Sequence, residues 1–160
     1  MLKLLWGEPR ATFAGRYYRL TDAVAEPKPV QRPHPPLWIG GNGPRRTLRV
    51  VAEHADVWSC DVWPTSAGAM ERAYTLAGTL DQRCVEIGRD PSTMRRAHAL
   101  VVDDGDGALE IARTSLRAGF TDFLLVPVRD LGPGGDLRAG VEAAAALLPR
   151  LRALAREVGG

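Results

Sequence analysis

The stretch that decides the fold runs from two prolines through a glycine-rich turn: Pro35-Pro36-Leu37-Trp38-Ile39-Gly40-Gly41-Asn42-Gly43-Pro44-Arg45-Arg46-Thr47. The large and β-branched residues at Leu37–Ile39 predict a short buried strand. The glycines after it tolerate positive φ and a close approach of backbone. Pro44 suits the first position of a helix, and the apolar spacing beyond it predicts a helix over Pro44–His54. The stretch therefore predicts a strand, a tight turn and a helix in succession.

A turn that leads into a helix collects backbone N–H groups without partners at one place, and such a place suits a phosphate. Arg45 and Arg46 stand in the first turn of the predicted helix, where a cation opposes the helix dipole by about 0.3–1 kcal/mol. A bound anion would offset that cost. The alternative is two solvated arginines beside a turn whose glycines serve only the backbone. Both interpretations fit the spacing.

Composition excludes several classes of function. The chain has 160 residues, 45% hydrophobic and 25% charged, with a net charge of +2 and no basic run that indicates nucleic acid. Cys60 and Cys84 form neither a C-x-x-C pair nor a disulfide framework, which favours reduced thiols. The apolar start of the chain is too short for a signal peptide or a membrane span. We therefore expect a soluble, cytoplasmic protein with no metal site and no nucleic-acid or membrane partner.

The first part of the chain differs from the rest. Residues 2–6 predict the last turns of a helix, which Gly7 and Pro9 end. Residues 12–20 suggest either a short ribbon or an ordered loop. Residues 22–36 hold five of the twelve prolines and predict an extended excursion. We therefore expect residues 1–36, a helix end plus a proline-rich insertion, to be separate from residues 37–160.

Four strand–helix pairs follow one another from residue 37. The strands are expected at Leu37–Ile39, Val57–Ser59, Arg95–Val102 and Phe123–Val126, and the helices at Pro44–His54, Ala67–Ile87, Ala108–Ala118 and after the N-cap Asp136. Consecutive β/α units with right-handed crossovers form a parallel sheet. Two α/β architectures fit, a small doubly wound sheet or half of a (β/α)8 TIM barrel. Either one places function at the C-terminal ends of the strands.

The same turn also begins like the dinucleotide fingerprint G-x-G-x-x-G. Asp61 lies about twenty residues further on, where a Rossmann fold has an acid for the ribose. Arg46, however, replaces the third glycine, which close packing of helix on strand requires. Dinucleotide binding therefore stays as the less favoured alternative.

Several blocks of sequence together resemble one known family. They are Phe13-x-Gly15-x-Tyr17-Tyr18, Pro27-x-Pro29-Val30-Gln31, Pro35-Pro36-Leu37-Trp38-Ile39-Gly40-Gly41, Ala55-Asp56-x-Trp58, Gly119-Phe120-x-Asp122 and Leu147-Leu148-Pro149-x-Leu151. In this order they resemble the C-terminal half of the luciferase-like monooxygenases, the bacterial luciferase superfamily of flavin- or coenzyme F-420-dependent oxidoreductases. The resemblance covers nearly the whole chain.

The resemblance implies a TIM barrel that binds coenzyme F-420 or FMN at its C-terminal mouth. The form of the proline–tryptophan–glycine block favours the F-420-dependent branch and leaves FMN open. Family chains are much longer, so this chain is expected to hold only the last four β/α units, while most candidate catalytic residues lie in the half that is absent. The resemblance puts the cofactor phosphate on the turn and the helix start, at Gly40, Gly41, Asn42, Gly43, Arg45 and Arg46.

Further candidates follow other predicted strands. Ser59, Cys60 and Asp61 close the second strand at the active mouth, where they would line a pocket for substrate or cofactor. Arg129 follows the last strand at the same mouth, as a second phosphate contact or as part of a flexible loop. His98 lies within the third strand, and its face depends on a register that the sequence does not reveal. No residue of this chain is assigned a catalytic role.

Two functions remain open. The first is the C-terminal portion of an F-420- or FMN-dependent oxidoreductase that transfers hydride to or from a small organic substrate. The second is a catalytically inactive half-barrel or accessory subunit. Open sheet edges and an uncovered lumen face favour self-association or pairing with a missing N-terminal half.

Overall fold

The computed structural model describes residues 1–60, 62–63, 68–102, 106–127 and 134–159. The described chain divides into two compact units, one formed by Met1–Pro36 and one that starts at Leu37. None of the helices in the described ranges is long and apolar enough to cross a membrane. Candidate site residues Asp61 and Arg129 lie outside the described residues.

The first unit begins with a short helix and continues as a two-stranded ribbon. Helix α1 spans Leu2–Gly7, and strands β1 (Ala11–Ala14) and β2 (Arg19–Ala23) pair antiparallel. The ribbon is thus the form that this segment adopts. Residues 24–36 contain no helix or strand, in keeping with prolines that lack a backbone donor.

The second unit is a four-stranded parallel sheet with its helices between the strands. The strands are β3 (Trp38–Gly40), β4 (Val57–Cys60), β5 (Arg95–Val101) and β6 (Asp122–Val126), and they neighbour one another in chain order. The helices are α2 (Thr47–His54), α3 (Ala69–Glu86), α4 (Asp106–Arg117) and α5 (Leu137–Gly159). A doubly wound sheet reverses its strand order at a switch point, and these described strands have none. The unit is therefore a partial (β/α)8 barrel.

One face of the sheet carries the core. Trp58 and Phe120 belong to a buried cluster with side chains of α2 and α3, while Leu100 belongs to a second cluster with side chains of α4 and α5. Because side chains alternate along a strand, the remaining strand residues lie on the opposite face of the sheet. There Trp38 and Leu124 are 48% and 46% exposed. In a closed barrel this opposite face would be the lumen.

Helix α2 begins later than the sequence predicts. Pro44 to Arg46 form a turn, and the first helical residue is Thr47. The N–H of Leu48 donates to the carbonyl of Gly43 at 3.0 Å, a five-residue span that is wider than an α-helical turn. Gly43 precedes a proline, which disfavours the helical conformation there. The expectation that the two arginines lie in the first helical turn was therefore wrong, since both precede the helix.

The predicted N-cap of the last helix is confirmed. The carboxylate of Asp136 accepts hydrogen bonds from the N–H groups of Arg138 and Ala139 at 3.0 and 3.1 Å. An N-cap carboxylate satisfies donors that have no partner within the helix and also suits the positive end of the helix dipole. One capping residue, Asp136, was therefore enough to predict the start of this helix from the sequence.

Candidate functional site

The glycine turn joins β3 to α2 and is folded tightly against the start of the helix. Gly41 has a φ of +119°, a conformation that side-chain-bearing residues rarely adopt. A Cβ on Gly41 would lie 3.1 Å from Cγ2 of Thr47, and one on Gly43 would lie 2.7 Å from Oγ1 of the same threonine. The turn therefore needs glycine at both positions, for conformation at Gly41 and for space at Gly43.

Strand β4 holds the turn in place through three contacts. The N–H of Gly41 donates to the carbonyl of Ser59 at 3.2 Å, and the carbonyl of Gly41 accepts from the indole N–H of Trp58 at 2.9 Å. The thiol of Cys60 lies 3.6 Å from Oδ1 of Asn42. Because β4 is an inner strand of the sheet, these contacts tie the turn to a strand that is hydrogen-bonded on both sides.

Backbone donors without partners collect on the turn. Within the described part of the chain, no hydrogen bond is formed by the N–H groups of Gly43, Arg45, Arg46 and Thr47. Pro44 between them has no N–H to offer. The start of α2 adds the positive end of a helix dipole at the same place. Such a set of donors suits an anion with several acceptor oxygens.

Two guanidinium groups stand beside these donors without a counter-ion. Arg45 and Arg46 are exposed, and neither guanidinium group forms an ion pair or hydrogen bond with another residue of the described ranges. Arg49, one helical turn further on, is instead paired with Glu53 at 2.9 Å. The uncompensated positive charge therefore lies next to the turn. A phosphate group fits this combination of space, donors and charge.

The two described strand-end candidates lie on opposite faces of the sheet. Ser59 is partly buried on the face opposite the core, in register with Gly40 and Ala97. Cys60 is 3% exposed and belongs to the core cluster on the helix side, where it meets Asn42. The structure thus joins Cys60 to the glycine turn through Asn42 and leaves Ser59 on the face that would be the lumen of a closed barrel.

The register also decides the position of His98. It lies on the helix side, 1% exposed, with its ring edge-on to Phe120 and Phe123. Its Nδ1 lies 2.8 Å from the carbonyl of Ala99, which can only accept, so Nε2 accepts from the Ser115 hydroxyl at 2.8 Å. Burial lowers the pKa of His98, against a raising effect of the Ala99 contact. The ring is therefore a neutral part of the core, away from the turn.

The sequence did not reveal the contacts that Trp58 and Thr47 make at the site. Trp58 was quoted only as part of a motif, and its bond to Gly41 crosses between strands that no local pattern connects. Thr47 was not identified as a site residue. Its position four residues after Gly43 could have predicted the contact, because residues at that spacing approach one another at a helix start.

Other features of the unit do not join this site. A cavity of about 320 Å³ lies between α3 and α4, with Met70, Tyr74 and Ile111 among its lining residues and none from the turn. Among the described residues, no group of three or more His, Cys, Asp and Glu side chains is placed to hold a metal ion. The glycine turn is therefore the candidate functional site that the described residues present.

Comparison with known proteins identifies relatives that use two kinds of redox cofactor. An FMNH2-dependent dimethylsulfone monooxygenase of Pseudomonas putida is 39% identical over 57 residues, which are 36% of this chain and 15% of that protein. An F-420-dependent glucose-6-phosphate dehydrogenase of Microbacterium testaceum is 32% identical over 114 residues, which are 68% of this chain and 32% of that protein. These are the two cofactors that the sequence led us to expect.

Solved structures share the fold. An F-420-dependent secondary alcohol dehydrogenase in complex with an F-420–acetone adduct superposes with a TM-score of 0.65 at 18% identity, covering 94% of this chain and 58% of that one. A long-chain alkane monooxygenase superposes with a TM-score of 0.60 at 12% identity, covering 89% and 46%. The chain thus spans about half the length of these structural relatives.

The family itself follows from the sequence as a whole. A family model described as luciferase-like monooxygenase matches residues 1–139. The match includes the first unit, the glycine turn and all four strands of the parallel sheet. The chain belongs to the luciferase-like monooxygenase family.

Proposed function

We propose that this chain is the C-terminal, phosphate-binding portion of an oxidoreductase that uses coenzyme F-420 or FMN and exchanges hydride with a small organic substrate. The observation that carries the proposal is the group of four unpartnered N–H groups beside two unpaired arginines, on a turn held by β4. When bound, the ring of the cofactor supplies the redox chemistry. The residues of this chain bind the phosphate and thereby orient the ring.

The backbone, the arginines and the glycines of the turn contribute to phosphate binding in different ways. Backbone N–H groups at fixed positions select the direction of the phosphate oxygens, because each donates along one line. Arg45 and Arg46 supply charge, and hydrogen bonds between ionised partners are roughly twice as strong as neutral ones. The glycines let the backbone approach the phosphate closely. Ser59, on the lumen side of β4, is the described residue proposed to face substrate.

A comparison of two ligands tests the proposal. FMN and riboflavin differ only by the phosphate, so the wild-type chain should bind FMN more tightly than riboflavin in a fluorescence titration, and a parallel titration with F-420 decides between the cofactors. The double variant Arg45→Ala/Arg46→Ala should lower FMN affinity by at least about tenfold, because even one lost charged hydrogen bond, about 1.5–3 kcal/mol, has that effect. Riboflavin affinity should stay unchanged.

Arg49→Ala is the matched control, since it removes a nearby arginine that is already paired with Glu53. It should leave FMN affinity within about twofold of wild type, because a paired surface arginine contributes little. Equal affinity for FMN and riboflavin, or equal loss in the control, would contradict the assignment of the turn. A folded chain that binds neither FMN nor F-420 would contradict the proposal for this chain.

A second candidate function is an accessory half-barrel that pairs with four further β/α units. The open face favours it, because Trp38 and Leu124 stand about half exposed there. Strands β3 and β6 are the edges of the described sheet and present unpaired backbone groups. A second copy of the chain would complete eight parallel strands by placing β3 of one copy beside β6 of the other. In this case the site works only in the assembly.

Light scattering tests this candidate. The wild-type chain should behave as a dimer, and Leu124→Lys should give a monomer with unchanged helix content, because a buried charge at the interface is costly. Val85→Lys is a control on the surface of α3, where the side chain is 66% exposed. A monomeric wild type that binds FMN would exclude the need for a partner.

The state of the two cysteines favours one cellular compartment for the protein. Cys60 and Cys84 are buried and not joined in a disulfide. Free thiols of this kind are usual in reducing compartments. We therefore propose that the protein works in the cytoplasm, which fractionation of the native host would test.

A further inference from the structure

We propose that Trp58 is a positioning residue, whose indole N–H orients the glycine turn for its anion. The identity of that anion as a cofactor phosphate rests on the proposed function above. The orienting contact itself does not, because it is a bond within this chain. It joins Nε1 of Trp58 to the carbonyl oxygen of Gly41 at 2.9 Å.

The core fixes the donor. The Trp58 side chain is fully buried, and its ring packs against Phe120 with centroids 5.9 Å apart and planes tilted by 40°. An indole N–H can only donate, and a buried donor without an acceptor is costly. The ring therefore has a set orientation and a strong preference for the Gly41 carbonyl. The position of the turn is in this way tied to the packing of the core.

The bond controls the direction of the next backbone donor. The peptide between Gly41 and Asn42 is trans, so its carbonyl and its N–H point in opposite directions. Because the Gly41 carbonyl points to Trp58 in the core, the N–H of Asn42 points in the opposite direction, away from the indole. Loss of the indole bond would remove one restraint on the rotation of this peptide plane.

The residue just before β4 holds the other end of the same segment. The carboxylate of Asp56 accepts the N–H of Leu37 at 2.7 Å, just before β3 begins. The N–H of Gly41, just after β3 ends, donates to the carbonyl of Ser59 at 3.2 Å. The backbone contacts fix where the segment lies. Among the described residues, only Trp58 bonds to the carbonyl of Gly41, and this bond therefore sets the direction in which the turn leaves the strand.

The first experiment measures the turn without any ligand. Trp58→Phe keeps a ring in the core but removes the donor. The ¹⁵N order parameters of Asn42 and Gly43 should fall from rigid values of about 0.85 to below about 0.6. Exchange of the Gly41 amide should accelerate about fivefold, the effect of one lost hydrogen bond, while Leu100 in β5 keeps its protection. Unchanged order and exchange at the turn would overturn the proposal.

Two further variants separate the hydrogen bond from general destabilisation. Trp38→Phe is the matched control, because Trp38 lies on the opposite face of the neighbouring strand and makes no indole hydrogen bond among the described residues. It should leave the turn unchanged. If Trp58→Phe fails to fold, β-(3-benzothienyl)alanine at position 58 keeps the shape of the indole without its N–H. Loss of order in this analogue supports the proposal, and wild-type order overturns it.

The second experiment adds the ligand. Loss of the Trp58 donor should weaken FMN binding roughly 3- to 10-fold and leave riboflavin binding unchanged, because the turn contacts only the phosphate. A loosened turn with unchanged FMN affinity would overturn the role of Trp58 in anion binding. If the wild-type chain binds neither FMN nor F-420, the proposed function fails, while the order parameters still decide whether Trp58 orients the turn.

Discussion

Gly43 and Thr47 approach so closely that a Cβ on Gly43 would lie 2.7 Å from Oγ1 of the threonine. Thr47 is β-branched and begins α2, so its side chain has few alternative rotamers. The turn can therefore pack this closely against the helix start only because Gly43 has no side chain.

The first prediction is that Gly43→Ala opens the turn and lowers FMN affinity about tenfold, because a sub-van der Waals contact forces either the turn or Thr47 to move. The double variant Gly43→Ala/Thr47→Ala should recover most of the affinity. Gly78→Ala is the control, since it lies on α3 outside the turn and nothing lies within 4 Å of its Cβ. Titration with FMN is the measurement, and a failure of the second substitution to restore binding would rule out the contact as the cause.

The second prediction concerns stability. Gly41→Ala should lower the free energy of unfolding by about 1–3 kcal/mol, because an alanine at a φ of +119° is strained. Gly78→Ala, in the exposed middle of α3 with nothing within 4 Å of its Cβ, should raise it by about 0.5–1 kcal/mol. Urea denaturation measures both. Equal effects at the two positions would show that the conformation of Gly41 does not matter.

The third prediction concerns pH. Burial holds the pKa of His98 below its ordinary value of 6.5. Below that pH the unfolded chain therefore binds a proton that the folded chain does not, and stability falls as the pH falls towards the folded pKa. His98→Phe should lower stability overall and flatten this dependence between about pH 7 and pH 5. If the stability of His98→Phe still falls with falling pH as steeply as that of the wild type, the pH dependence comes from other groups.

The fourth prediction concerns a charge that anchors β5 to α3. Arg96 is 8% exposed and forms an ion pair with Asp81. Asp81→Ala should cost about 1–3 kcal/mol, because it leaves a mostly buried charge without its partner. Glu86→Ala, which breaks an exposed pair with Arg83, should cost less than about 0.5 kcal/mol. Chemical denaturation of the two variants is the check, and equal losses would contradict a special role for the buried pair.

Much of the fold was predictable because its signals are local. The alternation of strands and helices follows from apolar periodicity and from glycine and proline at the ends of elements. Strands β5 and β6 lie within one residue of their predicted bounds, and Asp136 caps its helix as expected. The start of α2 was misplaced, since the five-residue bond from Leu48 to Gly43 has no separate sequence signal.

By itself, then, the sequence determined the order of the β/α units, the place of the glycine turn and the family. These depend on residues that are neighbours in the chain. Only the tertiary structure decided that the strands keep their chain order, that Cys60 and His98 lie on the helix side, and that Trp58 holds the carbonyl of Gly41. The reason is register. A shift of one residue in strand pairing turns every side chain to the other face, and the pairing depends on contacts between distant parts of the chain.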